Sequence, residues 1–209
     1  MAKLRSGILG NVRGKVAGVV GSQWKDVNYI REYVKPANPN SAAQQTQRTK
    51  MSDCVAFAKT LVGPLFNTYT DKFIKSMSGF NAFIKTNIAE FDGSPNYALV
   101  KISEGKLSPV TSLACTYNTA DGETILTWDE NFGNNGIGGD KAFWCIYDDS
   151  TGLWYFADGE VTRDTETDTQ TISAGLTATD LHCYLLTCQY TSYVLTLISA
   201  NDYAAVTAP

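Results

Sequence analysis

Histidine is almost missing from this chain: 209 residues contain one, His182. That count excludes a histidine-rich metal site. Cysteine occurs five times, at Cys54, Cys115, Cys145, Cys183 and Cys188, but never as C-x-x-C, and the number is odd. Neither a zinc knuckle nor a disulfide framework is expected. Most of the cysteines lie in apolar runs such as "KAFWCIY" and "LHCYLLTC", so they read as buried free thiols in a reducing compartment. No apolar run approaches the length of a membrane-spanning helix. The opening "MAKLRSGILGNVRGKVAGVVG" is interrupted by Arg13 and Lys15, which argues against a secretory signal. The expected location is the cytoplasm, or a virion if the chain leaves the cell as part of an assembly.

Catalytic signatures are also lacking. No G-x-S-x-G elbow and no kinase motif set occurs. "GNNGIGGD" is glycine-rich, but it lacks the Lys-Ser ending of a phosphate loop and runs into a strand pattern, so it reads as a flexible loop. His182 and Cys183 are adjacent in a strand-like run and would point to opposite faces, so they do not pair as base and nucleophile. A hydrogen-bonded strand histidine is the expectation. Asp148-Asp149 and the run Asp164, Glu166, Asp168 offer oxygens that suit a hard cation. The EF-hand spacing is absent, and loops or a solvated strand face are the plainer reading. No catalytic residue, cofactor or metal ligand is expected, and the chain does not read as an enzyme.

What is present is a globular composition, 44% apolar and 18% charged. The net charge of −4 conceals a split. Residues 1–90 carry 13 Lys and Arg against 5 Asp and Glu, whereas residues 91–209 carry 4 against 16. Such asymmetry often accompanies an interaction role, although each half could merely be keeping itself soluble.

The pattern along the chain changes with the charge. "VAGVVGSQW" and "VNYIREYV" are rich in β-branched and aromatic residues and flank Lys25-Asp26, which predicts a hairpin. Pro36 and Pro39 then hold an extended connector. Ser41 and Gln44 have capping-box spacing, so a helix is predicted from Ala42. Its first turns are polar; from Met51 the apolar residues Met51, Cys54, Val55, Ala58, Leu61 and Val62 recur at helical spacing up to Gly63-Pro64. A second helix is predicted from Leu65 to Met77, and a third through Phe80, Phe83, Ile84 and Ile88. "EFDGSPNYA" is punctuated by Gly, Ser and Pro. A domain boundary is placed there. The expected domains are a basic hairpin and helical module over 1–92 and an acidic β domain over 93–209. In the latter, strands are predicted at "ALVKIS", "SLACTYN", "ETILTW", "KAFWCIYD", "GLWYFAD", "EVTR", "TQTISA", "DLHCYLLTCQY" and "YVLTLIS". The fold class is α+β with an antiparallel β-sandwich. In pattern, "ILTW" with "FWCIYDDSTGLWYF" resembles the early strands of a fibronectin type III-like or immunoglobulin-like module, and "GLTATDLHCYLLT" its late strand.

"GKVAGVVGSQWKDVNYIREYVKPANPNSAAQQTQR" resembles the opening of an uncharacterised domain family common in Bacteroidota genomes and their phages. Its members begin with a Gly-rich "GKVG-VVGS-WKG-Y-IR", then a proline segment, then a Gln-Arg helix start. The stretches "GDKAFWCIYDDSTGLWYF" and "DLHCYLLTCQY" are similar to that family's later strands. Related "NP-(S/T)-x-x-Q-x-x-Q-R" segments occur in phage-encoded proteins regarded as virion components. The resemblance implies no activity. It points to an interface role for Gly14, Lys15, Trp24, Tyr29, Arg31, Asn38, Pro39, Gln44 and Arg48. Asp26 stands where the family usually has glycine.

Three function classes follow. The first is a non-enzymatic structural or assembly protein of a phage or phage-like particle, working through protein–protein contacts with its own copies or with shell or tail proteins. Its candidate interface residues are Arg13, Lys15, Trp24, Lys25, Tyr29, Arg31, Tyr33, Asn38, Gln45, Gln47 and Arg48. The last three precede the apolar part of the helix, show no evident intrachain partner and are expected to face another chain. The second is a surface-recognition module binding a glycan or receptor through Trp144, Trp154 and Tyr155, although alternate aromatics in a sandwich usually fill its core. The third is single-stranded nucleic-acid binding by the basic half, where aromatics and cations interleave. Strand alternation should turn half of those residues inward, and the pI near 5.0 opposes a dedicated nucleic-acid binder.

Overall fold

The computed structural model describes residues 2–4, 13–25, 27–63, 65, 76–93, 95–133, 135–157, 161–191 and 194–209. The chain divides into two compact units, Met1–Ser41 and Ala42–Pro209.

The first unit is a four-stranded antiparallel sheet of β1 (Ala2–Leu4), β2 (Gly14–Val16), β3 (Val19–Trp24) and β4 (Val27–Glu32), in the order β1-β4-β3-β2. The predicted hairpin is β3–β4, closed by the pairing of Trp24 with Val27. "VAGVVG" is not one strand. It turns back at Ala17-Gly18, where Val16 pairs with Val19 and Ala17 takes φ +50°. A two-residue hairpin turn needs such positive φ to match the strand twist. Gly18 therefore serves a turn. Lys25 likewise has φ +44° in the β3–β4 turn.

The second unit begins where the capping signal placed it, with α1 (Ala42–Thr60). α2 (Gly79–Asn87) starts after Ser78, whose side chain accepts a hydrogen bond from the Asn81 N–H at 3.4 Å. The helix expected from Leu65 to Met77 falls on residues 66–75, outside the described residues. The strands are β5 (Thr111–Tyr117), β6 (Glu123–Asp129), β7 (Lys141–Asp148), β8 (Leu153–Phe156), β9 (Thr167–Thr171), β10 (Leu181–Thr191), β11 (Val194–Ile198) and β12 (Asp202–Thr207). They run in the order β8-β7-β10-β12-β5-β6-β9, with β11 beside the far half of β10. Among these pairs only β12–β5 is parallel.

Side-chain alternation explains the layering. From β7, Ala142, Trp144 and Ile146 enter one core with Cys115, Tyr117, Leu126 and Trp128 of β5 and β6. Phe143 and Cys145 enter a second core with Phe57, Ala58 and Leu61 of α1 and Phe83 and Ile84 of α2. β10 divides in the same way: Leu181, Cys183 and Leu185 go inward to the sandwich, while Tyr184, Leu186 and Cys188 go to the helices. The result is a β-sandwich with helices on the outside of one sheet. Strands buried on both faces read as near-continuous apolar runs, as β7 and β10 do; β6, with one solvated face, alternates strictly.

Four points of the sequence reading change. The division after Asp92 moves to Ser41/Ala42, because α1 and α2 share a core with Phe143, Cys145 and Tyr184 of the sandwich. "ALVKIS" is a 3₁₀ turn (Tyr97–Leu99) followed by irregular backbone, and "EVTR" leads into a 3₁₀ turn (Arg163–Thr165). The last strand, β12, was absent from the sequence-based set; "DYAAVT" is short, and its alanines give a weak apolar signal.

Candidate functional site

The register of the first unit decides where its charged and aromatic residues go. Paired residues in adjacent strands share a face, and neighbours along a strand alternate. Lys15 pairs with Val20, Val20 with Arg31, Ser22 with Tyr29 and Trp24 with Val27. Lys15, Trp24, Tyr29 and Arg31 therefore lie on one face. Tyr33, just beyond β4, joins them, since the Lys15 ammonium sits 3.6 Å from the centre of its ring. Glu32, the one carboxylate among the described residues of this unit, is on the opposite face with Val19.

This face is open. Trp24 is 66% exposed, and Lys15, Val27, Arg31 and Tyr33 are exposed with it. Among residues 13–25 and 27–41, only Gly21 is buried. The cations lie against the rings: besides Lys15 over Tyr33, the Lys25 ammonium lies 5.1 Å from the Trp24 ring centre. Cation–π contact of this kind contributes about 0.5–1 kcal/mol at exposed sites. Arg13 donates to the side-chain oxygen of Gln23, which belongs to the other face, and an open hollow of about 600 Å³ is lined by Arg13, Gly21, Ser22, Gln23 and Lys25.

The eleven nominated residues are thus not one surface. Five share a sheet face, Arg13 and Lys25 lie at the hollow, and Asn38 is in the exposed connector. Gln45, Gln47 and Arg48 belong to α1 in the other unit. Gln47 and Arg48 line a shallow depression of about 440 Å³ with Met51, Ser52 and Val55. Gln45 lines another of about 400 Å³, near the Lys50–Asp92 ion pair at 2.8 Å. Gln45 and Arg48 engage neighbours within the chain, which corrects the expectation that they lack intrachain partners.

The reactive side chains of the second unit are occupied by structure. His182 Nδ1 lies 3.0 Å from the Tyr203 hydroxyl, and its ring stacks on Tyr97 at 4.0 Å. Burial holds its pKa below the ordinary value, against the opposing charges of Asp149 and Asp180. All five cysteines are free and buried. Burial pushes Cys54 up to about 11, Cys188 up to about 12 and Cys145 higher still, so none of these three forms a nucleophilic thiolate near neutrality. Trp144 donates to Asp168 at 2.7 Å and Trp154 to Thr60 at 2.8 Å, while Tyr155 packs on the sandwich core. The Asp148 carboxylate is also engaged. Burial alone would raise its pKa, but hydrogen bonds from Thr151 and Ser150 outweigh that and hold it below the usual range. Among the described residues no group of three or more His, Cys, Asp or Glu could hold a metal ion.

One constellation went unseen in the sequence. Arg163 and Asp140 form an ion pair at 3.3 Å, both fully buried. The Arg163 guanidinium also donates to the carbonyls of Asn131 and Ser108 and to Thr187, and Asp140 accepts from the Ile137 N–H. Burial pushes the Arg163 pKa down, and Asp140 opposes that. The glycine-rich "GNNGIGGD" segment, expected to be flexible, is fastened by this clamp. Gly136 approaches so closely that an added Cβ would lie 2.9 Å from the Asn131 carbonyl oxygen.

Comparison with known proteins gives the class. The profile of the Family of unknown function (DUF6266) matches residues 11–192, and the chain belongs to that family. No curated protein matches. Among solved structures the chain is similar to a Fn3-like protein from Clostridium thermocellum, at 19% identity and a TM-score of 0.31, over 50% of this chain and 95% of that one. It is also similar to the fn3 domain of human collagen alpha-1(XX) chain, at 18% identity and a TM-score of 0.30, over 51% of this chain and 90% of that one.

Proposed function

We propose that the protein is a non-enzymatic structural or assembly component that binds another protein through the cationic and aromatic face of its first unit. The observation that carries this is the gathering of Lys15, Trp24, Tyr29, Arg31 and Tyr33 on one exposed face that has no carboxylate among the described residues. Aromatic and arginine side chains are the usual anchors of protein interfaces. A single sheet layer in which Gly21 is the one buried residue among those whose burial is described gains a covered face by docking. The absence of a thiolate-competent cysteine among Cys54, Cys145 and Cys188, and the engagement of His182, support the non-enzymatic reading. The fibronectin type III-like or immunoglobulin-like reading of the sandwich is supported by its strand order. The virion setting rests on the resemblance of residues 38–48 to phage-encoded segments.

The same residue types suit a single nucleic-acid strand, but two of the three rings already carry a cation on one face. Lys15 covers Tyr33 and Lys25 lies against Trp24, so neither ring presents two open faces for bases. A photo-crosslinking residue at position 24, introduced in the native host cell, tests the choice. Crosslinking to one defined protein, lost in Arg31→Glu, is the expected result. Crosslinking to nucleic acid, or to nothing, overturns it.

A further inference from the structure

The second unit carries a face of opposite chemistry. On β6 the exposed residues are Glu123, Ile125, Thr127 and Asp129, alternating with buried ones. Ile125 pairs with Thr116 on β5 and with Thr169 on β9, so the outer surface of β5, β6 and β9 is one threonine-rich sheet face. The three strands contain no lysine or arginine. The two units are opposite in charge as wholes. Met1–Ser41 holds seven Lys and Arg against two Asp and Glu, and Ala42–Pro209 holds ten against nineteen.

Resting on the proposed function above, we infer that the partner is a second copy of this chain. The Lys15–Trp24–Arg31 face of one copy docks on the outer β5–β6–β9 face of the next. Both are sheet faces, and sheets pack face to face at about 10 Å with side chains interdigitating. Trp24 and Tyr29 supply large rings for Ile125 and the threonine methyl groups. Arg31 and Lys15 meet Glu123 and Asp129, which have no basic neighbour on their own face. Because the two faces differ, the contact is heterologous. A dimer therefore still has one free face of each kind, and the contact repeats into a ring or an open chain.

Analytical ultracentrifugation of the full chain across protein concentrations tests this. Association beyond the dimer is expected at low salt, weakening as the Debye length falls from about 30 Å at 0.01 M to about 8 Å at 0.15 M salt. Arg31→Glu and Asp129→Lys should each weaken association at least tenfold, with far-UV circular dichroism unchanged. Mixing these two variants should restore association, because the intact faces dock on one another and the reversed faces, Arg31→Glu against Asp129→Lys, are again opposite in charge. Lys15→Glu and Glu123→Lys repeat the exchange at independent positions. A wild-type chain that stays monomeric throughout overturns the inference. So does loss of association in Arg31→Glu alone, with Asp129→Lys and Glu123→Lys behaving as wild type. A position-24 crosslink to a different protein would leave the proposed function standing while removing this partner.

Discussion

Trp24 and Trp144 both lie on antiparallel strands of one chain, yet the first is 66% exposed and the second 1%. Arg31 and Arg163 repeat the contrast, one exposed on a sheet face and the other buried beside Asp140. The first unit spends its aromatic and cationic residues outward. The second spends the same residue types inward, as packing and as a clamp. Residue type does not separate the two uses; the number of covered sheet faces does. β7 has a core on each side, whereas β3 buries only Gly21.

The sharpest break of this comparison is at the tryptophans. Trp144→Ala should destabilise the second unit by about 3–5 kcal/mol, adding loss of the hydrogen bond to Asp168. Trp24→Ala should stay within about 0.5 kcal/mol in urea unfolding while removing association. The arginines follow. Arg163→Met leaves Asp140 buried without its partner and should cost about 3–5 kcal/mol. Arg31→Met should again leave stability within about 0.5 kcal/mol. Urea titrations followed by far-UV circular dichroism measure all four. Equal losses at Arg31 and Arg163 would mean that the first unit has a core of its own.

The same contrast accounts for what the sequence disclosed. Strand periodicity exposed β5, β6, β7, β8 and β10, because their apolar patterns are local. The helix start at Ala42 was readable because Ser41 and Gln44 carry a short-range signal. The unit boundary was not, since the covering of β7 by α1 and α2 joins residues about a hundred positions apart in sequence. The sharing of a face by Lys15 and Arg31 depends on a turn at Ala17-Gly18 hidden inside an apolar run. The Arg163–Asp140 pair joins a segment read as a loop to one read as a strand, and neither has a motif that announces a buried charge.

A smaller effect is expected at the start of α2. Ser78→Ala removes the acceptor for the Asn81 N–H and should cost about 0.5–1 kcal/mol. The α2 face carrying Phe83 and Ile84 remains packed in the helix-side core, so the loss should show as a lower urea midpoint with an unchanged slope. A changed slope would indicate that α2 separates from the sheet before the rest unfolds.

The smallest effect separates burial from charge at His182. Its folded pKa lies below its ordinary value of 6.5, chiefly through burial, with Asp149 and Asp180 pulling the other way. The unfolded chain therefore binds a proton at a higher pH than the folded one does. Stability from the neutral ring is complete above pH 6.5, declines as pH falls below it, and levels off once the folded ring is also protonated. His182→Gln should cost about 0.5 kcal/mol at pH 7.5 through the lost contacts with Tyr97 and Tyr203. That deficit should shrink towards pH 5, because the variant has no ring to protonate. Thermal unfolding of both proteins from pH 7.5 to 5 gives the difference directly and cancels the carboxylate titrations they share. A deficit that stays constant would show that the imidazolium is held by Asp149 and Asp180 as well as the neutral ring is held by Tyr203. A deficit that grows would place its folded pKa above the ordinary value, with charge rather than burial in control.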